Sequence, residues 1–363
     1  MPNTPALGFG FMRLPMKENA IDLETVCRMV DEFLAAGFCC FDTAHGYHDG
    51  QSEAAIKAAL AKRHPRHTYR LANKLSPPFF KQESDILPLF RRQLAACGVE
   101  YFDTYLMHAQ SAQRFEFYKS CRAYETAFCL KEQGLVRRVG ISFHDTAPVL
   151  ERILTEYPQL DVVQLQFNYL DYDDPRVQSR ACYEVCRRHN KPVIVMEPVR
   201  GGRLADLPGP AAEALAAAGG GSPASWALRF AAGFDGVETV LSGMSAPDQL
   251  RDNIAAMKPF VPLSAAQQAA IGQVRRLLVR QQLVGCTGCD YCTPGCPAGI
   301  AIPRQLAGLN ERLQGLPGAA ERCKAAPGAP AGACIGCGAC ETACPQKLPI
   351  RAMLGRAAEL LEG

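Results

Sequence analysis

Two cysteine-rich runs near the C-terminal end of the sequence constrain this chain more than any other feature. Each run reads Cys-x₂-Cys-x₂-Cys-x₃-Cys-Pro, with the same spacing and the same final proline. Three thiolates at this spacing bind one face of an iron–sulfur cubane, and the fourth ligates the cluster of the other run. The sequence therefore predicts two 4Fe–4S clusters, with the ligands Cys286, Cys289, Cys292, Cys296, Cys334, Cys337, Cys340 and Cys344.

Two structural zinc sites are the alternative, because they also use Cys-x₂-Cys pairs. Two complete repeats that each end in Cys-Pro favour iron–sulfur clusters, and the pattern resembles that of bacterial two-cluster ferredoxins. The 37 residues between Cys296 and Cys334 include a helical pattern around residues 304–313, so we expect a small, mainly α-helical ferredoxin-like domain. Cys323 has no partner at ligand spacing and is predicted to lie outside both clusters.

The sequence up to about residue 262 alternates short apolar runs with longer amphipathic segments. A strand-like run followed by a helix candidate, repeated eight times, predicts a parallel sheet, and eight such units close a (β/α)₈ TIM barrel. A doubly wound open sheet is the alternative, but no Gly-x-Gly-x-x-Gly turn follows the first run. The eight runs cover residues 7–14, 38–41, 69–74, 101–107, 136–141, 162–166, 193–196 and 237–241.

These patterns divide the chain into three parts. We expect the α/β barrel over residues 1–262, a helical connection over 263–284 and the iron–sulfur domain over 285–363. A net charge of +3 without a block of basic residues argues against nucleic acid as a partner, and no apolar run reaches the length of a membrane span. Residues 1–5 do not read as the start of a secretory signal. The sequence has 17 cysteines, some clustered and some scattered, and this distribution suits a reducing compartment. A cytoplasmic location is therefore expected.

Four polar residues come at the ends of successive predicted strands. Asp42 and Tyr47 follow the second run, Lys74 ends the third and His108 ends the fourth. Because the carboxyl ends of the parallel strands form the active site of a barrel, we expect these side chains to converge on one pocket. Each residue taken alone also fits a solvated position at the rim, but the four together favour a catalytic site.

This combination of side chains suits chemistry at a carbonyl group. A free tyrosine has a pKa of roughly 10 and is a poor acid near neutrality, but a lysine ammonium within about 4–6 Å of a phenol stabilises the phenolate. A carboxylate paired with the lysine keeps that lysine charged and in place. A neutral histidine donates a hydrogen bond to a substrate oxygen and orients it.

At these positions the sequence resembles the aldo-keto reductase superfamily, over residues 6–258. The family's Asp-Thr-Ala-x-x-Tyr motif matches residues 42–47, and its lysine and histidine match Lys74 and His108. The segment Gly50-Gln-Ser-Glu53 is similar to the Gly-x-Ser-Glu start of the family's second helix. The resemblance implies NAD(P)H-dependent reduction of a carbonyl group, or the reverse oxidation of an alcohol, with Tyr47 as the proton donor.

The resemblance also implies a site for a nicotinamide cofactor, NADP or NAD. Ser142, in Gly-Ile-Ser, and Gln164, in Val-Val-Gln, match the residues that contact the nicotinamide amide. Phe143 stands where many members carry an asparagine. Residues 241–249 contain no lysine or arginine for an adenosine 2′-phosphate, and Arg251 is the only nearby candidate, so the choice between NAD and NADP stays open. The residues matched to the phosphates and the adenine are Ser242, Gly243, Met244, Ser245, Gln249 and Asn253.

The two parts together predict an iron–sulfur-containing oxidoreductase of the aldo-keto reductase type, whose 4Fe–4S domain links to one-electron carriers. The expected partners are a small carbonyl or alcohol substrate and an external ferredoxin or flavoprotein. A hydride carries two electrons and a cluster accepts one, so three arrangements stay open: a flavin or the substrate mediates, the clusters serve an external ferredoxin, or they only brace the barrel. The alternative function is an electron-transfer or redox-sensing module whose barrel binds nicotinamide with little turnover.

Overall fold

Eight parallel strands close a barrel, as the alternating sequence pattern predicts. The structure, a computed structural model, describes residues 6–281, 283–325 and 327–362. The predicted domain ends at residues 1 and 363 lie outside the described residues, and so do residues 1–5, for which no secretory signal is predicted. The spatial order is β1-β10-β9-β8-β7-β6-β5-β4, and β4 pairs with β1 to complete the circle. The barrel strands are β1 (Ala6–Gly10), β4 (Cys40–Asp42), β5 (Arg70–Leu75), β6 (Phe102–Gln110), β7 (Val136–Phe143), β8 (Val162–Gln166), β9 (Val193–Met196) and β10 (Val237–Ser242).

The predicted first strand, residues 7–14, is too long, because β1 ends at Gly10. A small antiparallel hairpin follows instead, formed by β2 (Met16–Lys17) and β3 (Ala20–Ile21). Its two turn residues, Glu18 and Asn19, both have positive φ angles, of 52° and 63°. This is the backbone twist that a two-residue hairpin turn requires.

Helices connect the strands and cover the barrel. The helical sequence pattern over residues 115–133 predicts one helix, but the segment forms parts of two, because Arg122 takes a left-handed conformation with φ 50° and interrupts the backbone ladder. The helices of this part are α1 (Leu23–Ala35), α2 (Gln51–Ile56), α3 (Glu83–Cys97), α4 (Ala112–Ser120), α5 (Ala123–Glu132), α6 (Ala147–Glu156), α7 (Ser179–Arg188), α8 (Gly209–Ala218), α9 (Pro223–Ala232) and α10 (Pro247–Met257).

Aromatic packing fixes the strand that carries the first candidate site residue. Phe41, the residue before Asp42, packs against Phe33 of α1 with ring centroids 5.2 Å apart, and Phe9 of β1 lies 5.7 Å from Phe33. All three rings are buried. Such tilted and edge-to-face pairs contribute about 0.5–1.5 kcal/mol each beyond the area they bury. The end of β4 is therefore held firmly against β1 and α1.

The C-terminal part is mainly helical, as predicted for the iron–sulfur domain. Its elements are α11 (Ala265–Arg280), α12 (Ile302–Leu313), α13 (Ala319–Lys324), α14 (Ala339–Ala343) and α15 (Ile350–Leu361). It has its own apolar core, in which Leu306 and Leu309 of α12 pack with Leu354 of α15. An apolar core of its own is what a small separate domain needs.

The chain forms two compact units, and their limits do not simply follow the order of the sequence. One unit contains residues up to 199 and 224–264, and the other contains residues 200–223 and 265–363. The segment after β9, including α8, therefore groups with the C-terminal part, where α8 packs on α11. The predicted boundaries at residues 262 and 285 stay predictions. Across the described residues, no helix combines the length and the apolar character needed to cross a membrane.

We predict that Gly140→Ala destabilises the barrel. A Cβ at Gly140 in β7 would meet Val162 O and lie 2.6 Å from Val162 Cγ1 and 2.9 Å from Leu106 Cδ2. Overpacking of this kind lowers the free energy of unfolding by about 1–3 kcal/mol. Urea unfolding followed by the fluorescence of Trp226, the single tryptophan of the sequence, measures it.

Gly10→Ala is the matched control in the same barrel. The nearest atom to a Cβ at Gly10 is Ser242 O at 3.6 Å, an ordinary contact. We expect this variant to change the free energy of unfolding by less than about 1 kcal/mol. Equal stability losses in the two variants would contradict the packing argument.

Candidate functional site

A buried ion pair lies at the carboxyl ends of β4 and β5. Lys74 Nζ donates hydrogen bonds to Asp42 Oδ1 at 2.5 Å and to the carbonyl oxygen of Thr43 at 3.0 Å. The side chains of Lys74 and Asp42 are only 1% and 8% exposed. A buried ammonium needs such partners, because removing it from water costs several kcal/mol. The two residues predicted to work as a pair are therefore paired.

Tyr47 lies on a short turn that follows β4. Its hydroxyl is 3.4 Å from Lys74 Nζ, and this nitrogen lies 5.0 Å from the centre of the tyrosine ring. The backbone of the turn is tightly curled: His48, Asp49 and Gly50 all have positive φ angles. Gly50 at φ 86° takes this conformation without the strain that a Cβ would add.

His108 completes the group. Its ring is 6.1 Å from the ring of Tyr47, at an angle of 80°. Burial, and then the positive charge of Lys74, hold the pKa of His108 well below its usual value, so the imidazole is neutral. Ser76 Oγ is 2.6 Å from Nδ1, and a hydroxyl that donates to Nδ1 leaves the proton of a neutral imidazole on Nε2. The structure thus brings together all four residues that the sequence places at strand ends.

A local irregularity of β6 sets the direction of His108. The register between β6 and β7 shifts between Met107 and Gln110, and Ala109 has a φ of 54°. The N–H of Ala109 donates to Ser142 Oγ at 2.7 Å. Bulges of this kind commonly re-aim a side chain next to an active site. The sequence does not indicate this bulge, because no glycine marks it.

A buried polar network beneath Lys74 was also missed. Asn73 Oδ1 accepts from the backbone N–H of Lys74 at 2.8 Å, and Gln93 Nε2 donates to the carbonyl oxygen of Lys74 at 2.9 Å. Tyr105 OH donates to Gln93 Oε1 at 2.6 Å, while Asn73 Nδ2 donates to Glu53 Oε1 at 2.8 Å. These bonds fix the backbone on both sides of the lysine. Its side chain is therefore held in place from below as well as by Asp42.

One sequence signal points to this network. Gln93 lies on the face of α3 that otherwise carries Ile86, Leu89 and Cys97 and faces the core. A polar residue that is completely buried on an apolar helix face must find hydrogen-bond partners. The glutamine in that stripe is the clue to a buried network.

The residues matched to a nicotinamide site form two groups in the structure. Gln164 Nε2 donates to Asp42 Oδ2 at 3.2 Å, so this glutamine adjoins the catalytic candidates, and Ser142 lies at the neighbouring strand end on β7. The second group lies at the end of β10, which neighbours β1 in the barrel, and on the following helix α10. It consists of Ser242, Gly243, Met244, Ser245, Gln249 and Asn253.

Hydrogen bonds order the second group. Asn253 Nδ2 donates to Ser242 Oγ at 2.8 Å, and the N–H of Ser245 donates to Gln249 Oε1 at 2.7 Å. Polar side chains at a strand end before a helix suit phosphate and amide groups of a dinucleotide. Arg251 is exposed and forms an ion pair with Glu32 at 2.9 Å. The nearby candidate for a 2′-phosphate contact therefore already has an acidic partner.

Two pockets in the C-terminal unit are lined by the eight cysteines of the two runs. The first cluster site is lined by Cys286, Cys289, Cys292 and Cys344, and the second cluster site by Cys296, Cys334, Cys337 and Cys340. The fourth cysteine of each run thus lines the pocket of the other run, which is the exchange that the spacing predicts. Four thiols around each pocket fit a cubane cluster.

The surroundings of the two cluster sites differ. In the first, burial and then the neighbouring thiols raise the pKa of Cys292 to about 12. In the second, Cys337 is exposed, and the adjacent Ile335 is 69% exposed.

Within the described residues, no three His, Cys, Asp or Glu side chains converge tightly enough to hold a single metal ion. Cys323 lies on α13, and its sulfur packs against Gly308 of α12.

Comparison with known proteins agrees with both parts. Residues 6–276 match the model of the aldo/keto reductase family, and residues 285–348 match that of a 4Fe-4S dicluster domain. Among curated proteins, the NADH-specific methylglyoxal reductase of Escherichia coli is 25% identical over 304 residues, which is 69% of this chain and 88% of that protein. An NAD(P)H-dependent D-xylose reductase of Hypocrea jecorina is 27% identical over 195 residues, or 46% of this chain and 56% of that protein.

Solved structures show the same fold. An aldo-keto reductase from Bacillus halodurans in its holo form superimposes with a TM-score of 0.60 at 24% identity, over 74% of this chain and 91% of that one. An aldo-keto reductase from Klebsiella pneumoniae in complex with NADPH gives a TM-score of 0.61 at 20% identity, over 76% and 91%. With a family model that covers most of its length, the chain belongs to the aldo/keto reductase family and carries a 4Fe-4S dicluster domain after the barrel.

Proposed function

We propose that this protein reduces a small carbonyl compound with NADH or NADPH, or oxidises the corresponding alcohol. The observation that carries the proposal is the position of Lys74, whose ammonium lies between the carboxylate of Asp42 and the hydroxyl of Tyr47. A barrel that only binds a nucleotide has no chemical need for a tyrosine beside a buried lysine. We therefore favour an enzyme over an electron-transfer or sensing module with little turnover.

Each catalytic candidate has a distinct task in this proposal. Tyr47 donates its hydroxyl proton to the carbonyl oxygen as negative charge develops there. Lys74 stabilises the phenolate that remains, because its buried ammonium lies 3.4 Å from the oxygen. Asp42 holds Lys74 in position and balances its charge. Neutral His108 donates a hydrogen bond from its ring to the substrate oxygen and so orients the carbonyl group.

The residues at the strand ends of β7, β8 and β10 would hold the cofactor. We assign the nicotinamide amide to Ser142 and Gln164, because Gln164 adjoins Asp42. The group from Ser242 to Ser245, with Gln249 and Asn253, would take the phosphates and the adenine. When bound, the nicotinamide supplies or accepts the hydride. The NADPH complex of the Klebsiella pneumoniae protein and the NADH-specific Escherichia coli reductase support a nicotinamide cofactor of either kind.

We propose that the two cluster sites hold 4Fe–4S clusters that exchange electrons with an external ferredoxin or flavoprotein. The four thiols that line each pocket support the ligand assignment. The exposed Cys337 and Ile335 support the second cluster site as the place of exchange, since electron transfer needs a close approach at the surface. Clusters of this kind persist in a reducing setting, which favours the cytoplasm. Their chemistry, when they are bound, is the uptake and release of single electrons.

Tyr47→Phe tests the catalytic proposal. The substitution removes the transferable proton and little volume, so kcat should fall by the roughly 10²–10⁴-fold that general acid–base catalysis supplies. Initial rates with a panel of aldehydes and ketones under anaerobic conditions measure this. Cofactor affinity, measured by quenching of Trp226 fluorescence, should stay close to wild type. A variant that reduces a competent substrate at the wild-type rate excludes Tyr47 as the acid.

The pH dependence should reveal the neutral state of His108. Because burial and the charge of Lys74 lower its pKa, His108 keeps the same protonation state as the pH falls from about 8 to about 6, through the usual histidine value of about 6.5. The ratio of kcat/KM between wild type and His108→Gln should therefore stay constant over that range. A ratio that declines towards low pH with a midpoint near 6.5 would show that His108 titrates normally.

Metal analysis tests the cluster assignment. Protein that has never been exposed to air should contain about eight iron and eight sulfide per chain, the content of two four-iron clusters. Cys323→Ser should leave the iron content unchanged, because Cys323 lies on α13 and packs against Gly308 of α12. Cys344→Ser is the matched comparison and should lower it. Stoichiometric zinc in place of iron, or iron loss in Cys323→Ser, would sink the assignment.

A further inference from the structure

One buried acid close to the catalytic candidates has no task in the proposed reaction. Glu53 lies in the first turn of α2 and is only 1% exposed. A carboxylate is costly to bury unless it is paired and hydrogen-bonded. Glu53 Oε2 lies 2.7 Å from Nδ1 of His45, and Glu53 Oε1 accepts from Asn73 Nδ2 at 2.8 Å. Each carboxylate oxygen therefore holds a different part of the barrel.

The first of these contacts reaches the turn that contains Tyr47. His45 lies two residues before Tyr47 in the sequence. The His45 ring packs edge-on against Phe79, with ring centroids 4.7 Å apart, and the histidine side chain is 24% exposed. At the start of the same turn, the hydroxyls of Ser52 on α2 and Thr43 are 2.7 Å apart and share a hydrogen bond. The first turn of α2 therefore holds this turn at two points.

The second contact reaches the strand that contains Lys74. Asn73 on β5 donates to Glu53 through its side-chain nitrogen, while its side-chain oxygen accepts from the backbone N–H of Lys74 at 2.8 Å. Gln93 Nε2 donates to the same oxygen at 3.3 Å. Because Asn73 is completely buried, its amide keeps one orientation only while its hydrogen-bond partners stay in place. Glu53 therefore acts on Lys74 through Asn73.

We propose that Glu53 is a positioning residue, which ties the turn of Tyr47 to the strand of Lys74 and so keeps the phenol and the ammonium in contact. This role rests on the proposed function, since it concerns the proton donor of that reaction. The 3.4 Å between the hydroxyl and the ammonium joins two elements of the fold, so it depends on how the turn lies against the strand. A nearby cation favours the phenolate, and its effect weakens as the distance grows. Loss of Glu53 should therefore make Tyr47 a weaker acid.

Carbon NMR of protein with isotope-labelled tyrosine measures the ionisation of Tyr47 directly, and Tyr47→Phe identifies its resonance. Glu53→Met removes both hydrogen bonds at similar volume. The midpoint of the Tyr47 titration should rise by about one pH unit in this variant, because a nearby opposite charge shifts such a midpoint by about 1–3 units. Loss of a negative charge without movement would lower the midpoint, so the sign separates the two effects. Glu53→Gln can still accept from Asn73 and donate to His45, so its midpoint should stay closer to that of the wild type.

Asp103→Leu is the matched control. Asp103 accepts from Arg66 at 2.6 Å and from the backbone N–H of Leu71 at 2.8 Å, so it also holds β5, but at the amino end of the strand. This variant should unfold at a lower urea concentration and keep the wild-type midpoint of Tyr47. If Glu53→Met does not fold, His45→Ala decides, because it cuts only the link to the turn at a partly exposed position and should also raise the midpoint.

Three results would overturn the role of Glu53: an unchanged or lowered midpoint in folded Glu53→Met, the same result in His45→Ala where Glu53→Met does not fold, or an equal rise in Asp103→Leu. The titration needs no substrate, so it gives its result whether or not the protein reduces a carbonyl compound. A wild-type protein that shows the expected midpoints but turns over no aldehyde or ketone would contradict the proposed function alone.

Discussion

The buried ion pair between Lys74 and Asp42 is the constraint on which the active end of the barrel depends. Each charge taken from water costs several kcal/mol, and only close pairing and further hydrogen bonds repay that cost. The parallel register supplies the geometry, because Asp42 lies opposite Ala72 of the next strand, two residues before Lys74. The hydroxyl of Tyr47 then lies beside a cation whose place is fixed. Replacing either charge alone would leave the other buried and unpaired.

Much of this arrangement is predictable from sequence, for a physical reason. Strands that are buried on both faces read as continuous apolar runs, so all eight barrel strands stand out, and the polar residues at their ends follow directly. The sequence does not show where a single residue reverses the backbone. Arg122 breaks a helical pattern without a glycine or proline, and Ala109 shifts a strand in the same way. Left-handed conformations at such residues are imposed by tertiary packing, which local patterns do not record.

Contacts between distant segments explain the remaining gaps. The exchange of the fourth cysteine between runs is predictable because ligand spacing is a local property of each turn. The contact of Arg200 with the segment at Gly285 is not, because neither residue belongs to a recognised motif. The same holds for Gln93, whose role depends on Asn73 and Tyr105 from two different strands. The sign of such contacts in the sequence is a polar residue on an otherwise apolar helix face.

The proposed chemistry of the two units differs in its electron count, and this difference limits how they can cooperate. Nicotinamide releases two electrons together as a hydride, whereas each cluster takes one, so a direct transfer would require a one-electron nicotinamide radical. A carrier that is stable as a radical, such as a flavin, is needed to divide the pair. Under these proposals, hydride transfer and cluster reduction are separate reactions that meet only through such a mediator.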